Sequence, residues 1–335
     1  MGLLIVRGTL RVKQFWPDGK SDADTATIVV VLHPTSPFTY VTGGGNRRRT
    51  RAFENAEVKG QYGRLKVIKS NKISVRLQGI DAPELHFLPR IKNSAGENGN
   101  FRQNLGETCA HALHAYLASR GVQELECEFR SRVTKPAEVC DVYGRFVGNV
   151  EVGPESARVD LNHMLLREGW AMPGLYNSMT HDEIRQIQAD HDFAWTNGRG
   201  LFSANYVTGR LARFKPTQRY RKGPKVFTPF RDKGPVSFPK FFRRQADHYV
   251  RRALGESVPA KFRDYVATKP ADIALAVNTF LSHTGSTTTA QFKQQFKQLA
   301  TFIENNKYPT GPELVFWEAD ADLFKAGTNT PIISW

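Results

Sequence analysis

Hydrophobic and polar positions along the chain change period several times, and each change marks an element. Residues 3–15 (LLIVRGTLRVKQF) read as a first strand, and TATIVVVL at 25–32, rich in β-branched residues, reads as a second. WPDGKSDAD between them carries turn chemistry. From 33 to 62 the pattern fails, with HPTSPF and GGGNRRRTR in place of apolar periodicity. This stretch is expected to be a long insertion in a hairpin, with a short strand around 38–41. Strand signals resume at 64–69 and at 72–80, where Ile73, Val75 and Leu77 alternate with Ser74, Arg76 and Gln78. That alternation sends Arg76 to the face opposite Val75 and Leu77.

Residues 85–103 are irregular, and a helix is expected over 104–120 with Gly121 as its stop. Strands follow at 122–130 and 144–152. Two more helices are predicted, one N-capped by Asp160 and one starting near Thr180. Short strand pairs, a helix between the third and fourth strands and closing helices predict an α+β fold. Its centre is a five-stranded OB-type β-barrel with three helices.

Beyond residue 202 the texture changes. Residues 203–238 combine Pro216, Pro224, Pro229 and Pro235 with scattered aromatics and many cations, and no helical period. This reads as a basic linker arm. In the next stretch Phe242, Ala246, Tyr249, Val250 and Ala253 share one helical stripe, with Arg244 and Arg251 opposite. Residues 271–283 and 288–305 read as further amphipathic helices. The expected organisation is a barrel domain over 1–202, the arm over 203–238, and a small, mostly α-helical C-terminal unit over 239–335.

Composition narrows the class. A chain of 335 residues has room for one sizeable domain and a smaller one. No apolar run approaches the roughly 20 residues of a membrane span. The N-terminus lacks a basic region and a cleavage site, so it reads as a strand and not a signal peptide. Cys109, Cys127 and Cys140 have neither metal-ligand spacing nor the even count of a disulfide framework. An intracellular, cytoplasmic protein without membrane contact is expected. The net charge of +15 is unevenly placed: residues 203–270 hold 17 Lys and Arg against 4 Asp and Glu. Such a segment suits phosphate contacts with a nucleic acid, or a solubilising linker.

The chemistry starts at VRLQGIDAPE, which crowds Arg76, Asp81 and Glu84 into one short stretch. Asp22 and Asp24 of DADT stand at the mouth of a strand that would pair near 72–80. Asp24 and Asp81, with the Ala82 backbone carbonyl, form a candidate oxygen ligand set for a hard divalent cation, and Glu84 lies where it would hold a water. Taken singly, each acid is as well explained as a turn or capping residue. DVYGRF adds Arg145, and two arginines are able to grip one phosphate from two sides. A metal, two arginines and a carboxylate suit phosphodiester hydrolysis.

In order along the chain, DADT, VRLQGIDAPE, DVYGR and LNHMLLREGWA resemble the staphylococcal nuclease (thermonuclease-like) family over about residues 3–202. Equivalent stretches there read close to DGDT, RL(x)xxDxPE, DxYGR and VNxxLVxxGxA. The resemblance implies calcium-dependent hydrolysis of DNA and RNA by in-line attack of water. Calcium would fall to Asp24 and Asp81, water activation to Glu84, and the phosphate grip to Arg76 and Arg145. Tyr143 falls on a tyrosine lining the nucleotide pocket. Ala82 departs from the family's threonine and Ala23 from its glycine. MPGLYNSM aligns poorly, which leaves Tyr176 as a loose candidate for a base-contacting ring.

Some members of the fold family are catalytically silent nucleic-acid-binding scaffolds, and that is the alternative; five intact charged positions favour catalysis. The C-terminal unit, not covered by the resemblance, is a candidate for docking a protein partner. GGGNRRRTR (43–51) reads as a basic flap or a solvated loop. His111 and His114 read as a surface or packed pair, and His163 as packed or capping. Phe214, Tyr220, Phe227, Phe230 and Phe238, interleaved with cations, fit single-strand stacking or packing on the barrel, with nucleic-acid contact the preferred expectation.

Overall fold

The computed structural model describes residues 2–30, 38–43, 49–52, 68–69, 71–89, 91, 100–134, 136–141, 143–204, 214–229, 234–283, 288–303 and 313–319. Its strands are β1 (Gly2–Arg11), β2 (Thr25–Val30), β3 (Phe38–Thr42), β4 (Arg49–Ala52), β5 (Ile68–Lys69), β6 (Lys72–Leu77) and β7 (Ile80–Asp81). They continue as β8 (Glu124–Val133), β9 (Phe146–Val152), β10 (Val159–Asp160), β11 (Met172–Leu175), β12 (Ile273–Ala276), β13 (Lys297–Gln298) and β14 (Leu314–Trp317). The helices are α1 (Gly106–Ala118), α2 (Leu161–Arg167), α3 (His181–Thr196), α4 (Pro239–Ala253), α5 (Phe262–Ala267), α6 (Val277–Ser282) and α7 (Thr289–Lys293).

Five strands close a barrel. β1 pairs antiparallel with β2, β2 with β6, β9 with β8 and β8 with β1, while β6 and β9 run parallel. Alternation in β1 turns Leu4, Val6 and Leu10 inward, fully buried. Phe129 and Phe146 meet edge to face at 5.7 Å inside the barrel. The expected OB-type barrel is present. The short strand expected around 38–41 is β3, and β4 pairs with it as a hairpin, taking in Arg49 and Arg51 of the GGGNRRRTR stretch. Residues 44–48 of that stretch lie outside the described residues.

The helix starts follow from their caps. Asp160 accepts from the Asn162 and His163 amides at 2.8 and 3.1 Å to open α2. Thr180 and Glu183 form a capping box that opens α3. Both caps stand where the sequence pattern places them.

The C-terminal residues bring helices, as expected, and strands that were not. The segment 271–283, read as a helix, opens as β12, and 288–305 breaks after α7 into β13 and a 3-10 turn. Tertiary pairing overrides the local period: β12 pairs with β14, β14 lies parallel to β11, and β11 pairs with β7. The resulting sheet runs β13-β12-β14-β11-β7 and joins the C-terminal residues to the barrel domain. Phe238, Phe241, Phe280, Phe316 and Trp317 belong to the same buried cluster as Leu4 and Val6.

The arm also packs. Phe214 contacts Phe101 at 5.0 Å, Phe227 meets Trp16 at 4.9 Å, and Phe238 stacks on Phe316 at 4.2 Å. Tyr220 packs against the small cluster of Trp16, Leu85 and Ala110. Phe238 is thus a core residue, and Phe214, Tyr220 and Phe227 are partly buried rings packed against small clusters beside the barrel, so packing and not open stacking is what the arm shows. Phe230 lies outside the described residues. Arg219 sits 3.7 Å over the Phe101 ring and Arg221 is bound to Glu107, while Lys215, Lys222 and Lys225 face solvent.

One buried histidine makes the fold sensitive to acid. His191 is 1% exposed among Trp195, Phe202 and Phe280, and neither ring nitrogen has a hydrogen bond. Burial holds its pKa down to about 3. The unfolded imidazole takes a proton near pH 6.5, so its contribution to stability is complete above that pH and is lost as pH falls towards 3. At pH 5 the loss is ~2 kcal/mol. His191→Phe should therefore gain that amount on wild type between pH 7.5 and 5 in urea unfolding. A difference independent of pH would refute the assignment.

Candidate active site

Strand register gathers the charged residues at one end of the barrel. Thr25 of β2 lies opposite Arg76 of β6. Val75 lies beside Phe146 of β9, so Arg145, the residue before it, stands next to the same end. The DVYGR turn is organised by buried Asp141. Its Oδ1 accepts from the Tyr143 and Arg145 amides, each at 2.8 Å, and its Oδ2 from Arg145 Nε at 2.7 Å. Gly144 takes φ +78° there, a conformation that side chains disfavour. Arg145 Nη1 donates to Thr25 Oγ1 at 3.3 Å, and Thr25 Oγ1 to Asp24 Oδ1 at 3.1 Å. Asp24 Oδ2 accepts from the Ala82 amide at 3.3 Å. Tyr143 is half exposed, its ring 5.1 Å from the Arg145 guanidinium carbon.

Glu84 is placed by its backbone. Its carbonyl accepts from the Gln103 amide at 2.8 Å, and its own amide donates to Gln103 Oε1 at 3.2 Å. Gly106, which opens α1, sits so close that a Cβ there would lie 2.5 Å from the Glu84 carbonyl oxygen. Beside this turn the Leu85 amide donates to Asp22 Oδ1 at 3.3 Å, and burial pushes the Asp22 carboxyl up to about 7.

A residue from the C-terminal unit completes the cluster. Arg243 of α4 donates from Nη1 and Nη2 to Asp81 Oδ1 and Oδ2 at 3.2 and 2.7 Å, and from Nη1 to Glu84 Oε1 at 2.6 Å. Its Nη2 also lies 3.6 Å from Glu318 Oε1. Arg76 Nη2 also lies 3.7 Å from Asp81 Oδ1. Burial pushes the fully buried Asp81 carboxyl up to about 7, against the downward pull of Arg243 and Arg76. Burial acts likewise on Glu318, but Lys240 and then Arg243 outweigh it and hold that carboxyl down to about 2. Burial lowers the pKa of Arg243, yet Asp81, Glu84 and Glu318 together raise it well above its usual value.

The structure thus brings together Asp24, Asp81, Ala82, Arg76, Glu84 and Arg145, with Tyr143 at the rim. It does not leave Asp24, Asp81 and the neighbouring oxygens arranged for a cation. Both Asp81 oxygens and one Glu84 oxygen accept from Arg243, and both Asp24 oxygens accept from Thr25 and Ala82. Among the described residues no group of three or more His, Cys, Asp and Glu is placed to hold a metal ion. With Arg243 in position, these donors do not fit calcium.

Three other readings are resolved by packing. Tyr176 is buried and so is no base-contacting ring. His111 stacks with His114 at 6.1 Å and packs on Phe227, and His114 bonds Asp18 at 3.0 Å. His163 is paired with Asp190 at 2.7 Å. Arg243, Glu318 and Lys240 carry no local sign of a site role, because their partners lie far away in the chain. The one available hint was Arg243 itself, an arginine on a helix whose neighbours Phe241 and Phe242 are apolar.

A closed five-stranded barrel bearing two arginines and a row of carboxylates at one end defines an OB-like fold of the nuclease or nucleic-acid-binding kind. Residues 74–204 match the family model described as staphylococcal nuclease homologue. The matched span begins in β6 and takes in Arg76, Asp81, Glu84 and Arg145; Asp24 lies before it and enters through the β2–β6 pairing. No curated protein matches the chain. Among the described residues no helix is long and apolar enough to cross a membrane.

Proposed function

We propose that this barrel end binds nucleic acid and hydrolyses its phosphodiester bonds, with Arg76, Glu84 and Arg145 as the catalytic residues. The observation that supports it best is convergence: β6, the turn after β7 and the turn before β9 each deliver one of the three to the same place. Arg76 and Arg145 neutralise charge that grows on the phosphoryl oxygens during attack. Glu84 orients the attacking water and draws off its proton. Tyr143 lies flat against a neighbouring base, and the exposed Lys215, Lys222 and Lys225 add phosphate contacts along the arm. The family resemblance also implies calcium at Asp24, Asp81 and the Ala82 carbonyl. Because those donors do not fit the ion while Arg243 is in place, no step is assigned to it.

Binding without hydrolysis is the second reading, and Arg243 is what favours it, since its contact with Glu84 restrains the carboxylate that must handle the water. Labelled single- and double-stranded DNA and RNA, incubated with the full chain in calcium, magnesium or chelator, separate the two. Cleavage slowed roughly 100-fold by Glu84→Gln, with strand binding retained, is expected. Strands bound but left intact under every condition would make binding the function.

A further inference from the structure

We propose that Arg243 is a built-in replacement for a divalent cation, so that this site meets nucleic acid without one. The guanidinium sits among the oxygens such an ion would collect. Two come from Asp81 and one from Glu84, within 3.2 Å, with Glu318 Oε1 beyond at 3.6 Å. These contacts engage both Nη atoms, and with three carboxylates around it the group is a poor candidate for a phosphate ligand. Its charge is spent on the carboxylates, which leaves phosphate to Arg76 and Arg145.

The helix that carries Arg243 cannot lift away as a lid would. One turn earlier, buried Lys240 binds Glu318 Oε2 at 2.9 Å, and the next residue, Arg244, forks Asp272 at 2.6 and 2.9 Å. Phe241 lies in the core shared with the barrel, and β14, just before Glu318, is sheet-paired through β11 to the strand that ends in Asp81. Swinging the Arg243 side chain out alone would leave fully buried Asp81 with Arg76 at 3.7 Å as its remaining ion pair. A tethered guanidinium is present in every molecule, whereas a dissolved ion must first displace it. Its apparent affinity is then the intrinsic affinity multiplied by the small fraction of molecules in which the guanidinium is out.

The inference rests on the nucleic-acid reading only for its consequence; occupancy of the cation position is measured separately. Calorimetric titration of the full chain with calcium and with manganese should give no site-specific binding at millimolar ion. Arg243→Ala, which strips the counter-charge from Asp81, Glu84 and Glu318, should gain one calcium per chain, and adding Asp81→Asn should remove it. If the alanine variant fails to fold, Arg243→Gln, which keeps side-chain donors near Asp81, carries the same expectation. Single-stranded DNA should bind wild type equally, within about twofold, in calcium and in chelator. Wild type binding one calcium that Asp81→Asn abolishes would overturn the proposal, as would a folded Arg243 variant that gains none. Absent cleavage with this pattern intact would sink the hydrolytic reading alone.

Discussion

Lys240→Met is expected to lower the unfolding free energy by ~3–5 kcal/mol. The Lys240 side chain is 2% exposed, with Nζ 2.9 Å from Glu318 Oε2 and 3.7 Å from Asp272 Oδ1. Asp272 keeps its fork from Arg244 in the variant, but Glu318 loses its hydrogen-bonded cation. Glu318 Oε1 already lacks a hydrogen bond, so the variant would bury a carboxylate with no hydrogen-bonded cation, facing Arg243 at 3.6 Å and the more distant charge of Arg76. Urea unfolding at pH 7 measures the loss. Lys240→Met with Glu318→Met should recover much of it, because removing both charges also removes their desolvation cost. The deficit should also shrink as pH is lowered. Glu318 is held at about 2 in wild type; without Lys240 it rises, and a proton then relieves the buried charge at mildly acidic pH. A loss below about 1 kcal/mol would mean that water reaches the pair and that it is worth no more than a surface bridge.

Arg145→Ala is expected to slow phosphodiester cleavage by about 10²–10³-fold, the effect of deleting one preorganised donor to a developing oxyanion. The Arg145 side chain is about one-fifth exposed, and Asp141 and Thr25 hold it in a single orientation at the barrel end. Arg145→Lys keeps the charge but not the planar fork, so it should restore little of the rate. Single-turnover cleavage of a labelled strand, with urea unfolding as a check on folding, tests this. Asp141 retains the two backbone donors that organise the turn, so the fold should survive the change. Alanine protein cleaving at the wild-type rate would remove Arg145 from the mechanism.

Much of the barrel is legible without coordinates because its signals are local. Alternation of Ile73, Val75 and Leu77 fixes which side of β6 is buried, and Asp160 and Thr180 set helix starts through bonds to amides two or three residues on. The placement of the five charged candidate residues at one end of the barrel is legible for a related reason. Each sits within a few residues of turn chemistry that presents it, as Asp141 and Gly144 present Arg145. The C-terminal residues resisted such reading. Ile273–Ala276 carries an apolar run compatible with helix or strand, and its partner β14 lies some 40 residues further along.

What the sequence determined by itself is therefore a barrel with Asp24, Arg76, Asp81, Glu84 and Arg145 at one end, through short-range period, capping and turn rules. What only the tertiary structure decided is what stands between those charges. Arg243 reaches Asp81 across 162 residues and Glu84 across 159, and no local pattern encodes a contact at that range. Buried carboxylates need a counter-charge, and which one they receive depends on which helix packs over them. Here α4 is held by the Lys240–Glu318 pair just beyond β14, and it supplies a guanidinium where the motif alone pointed to an ion.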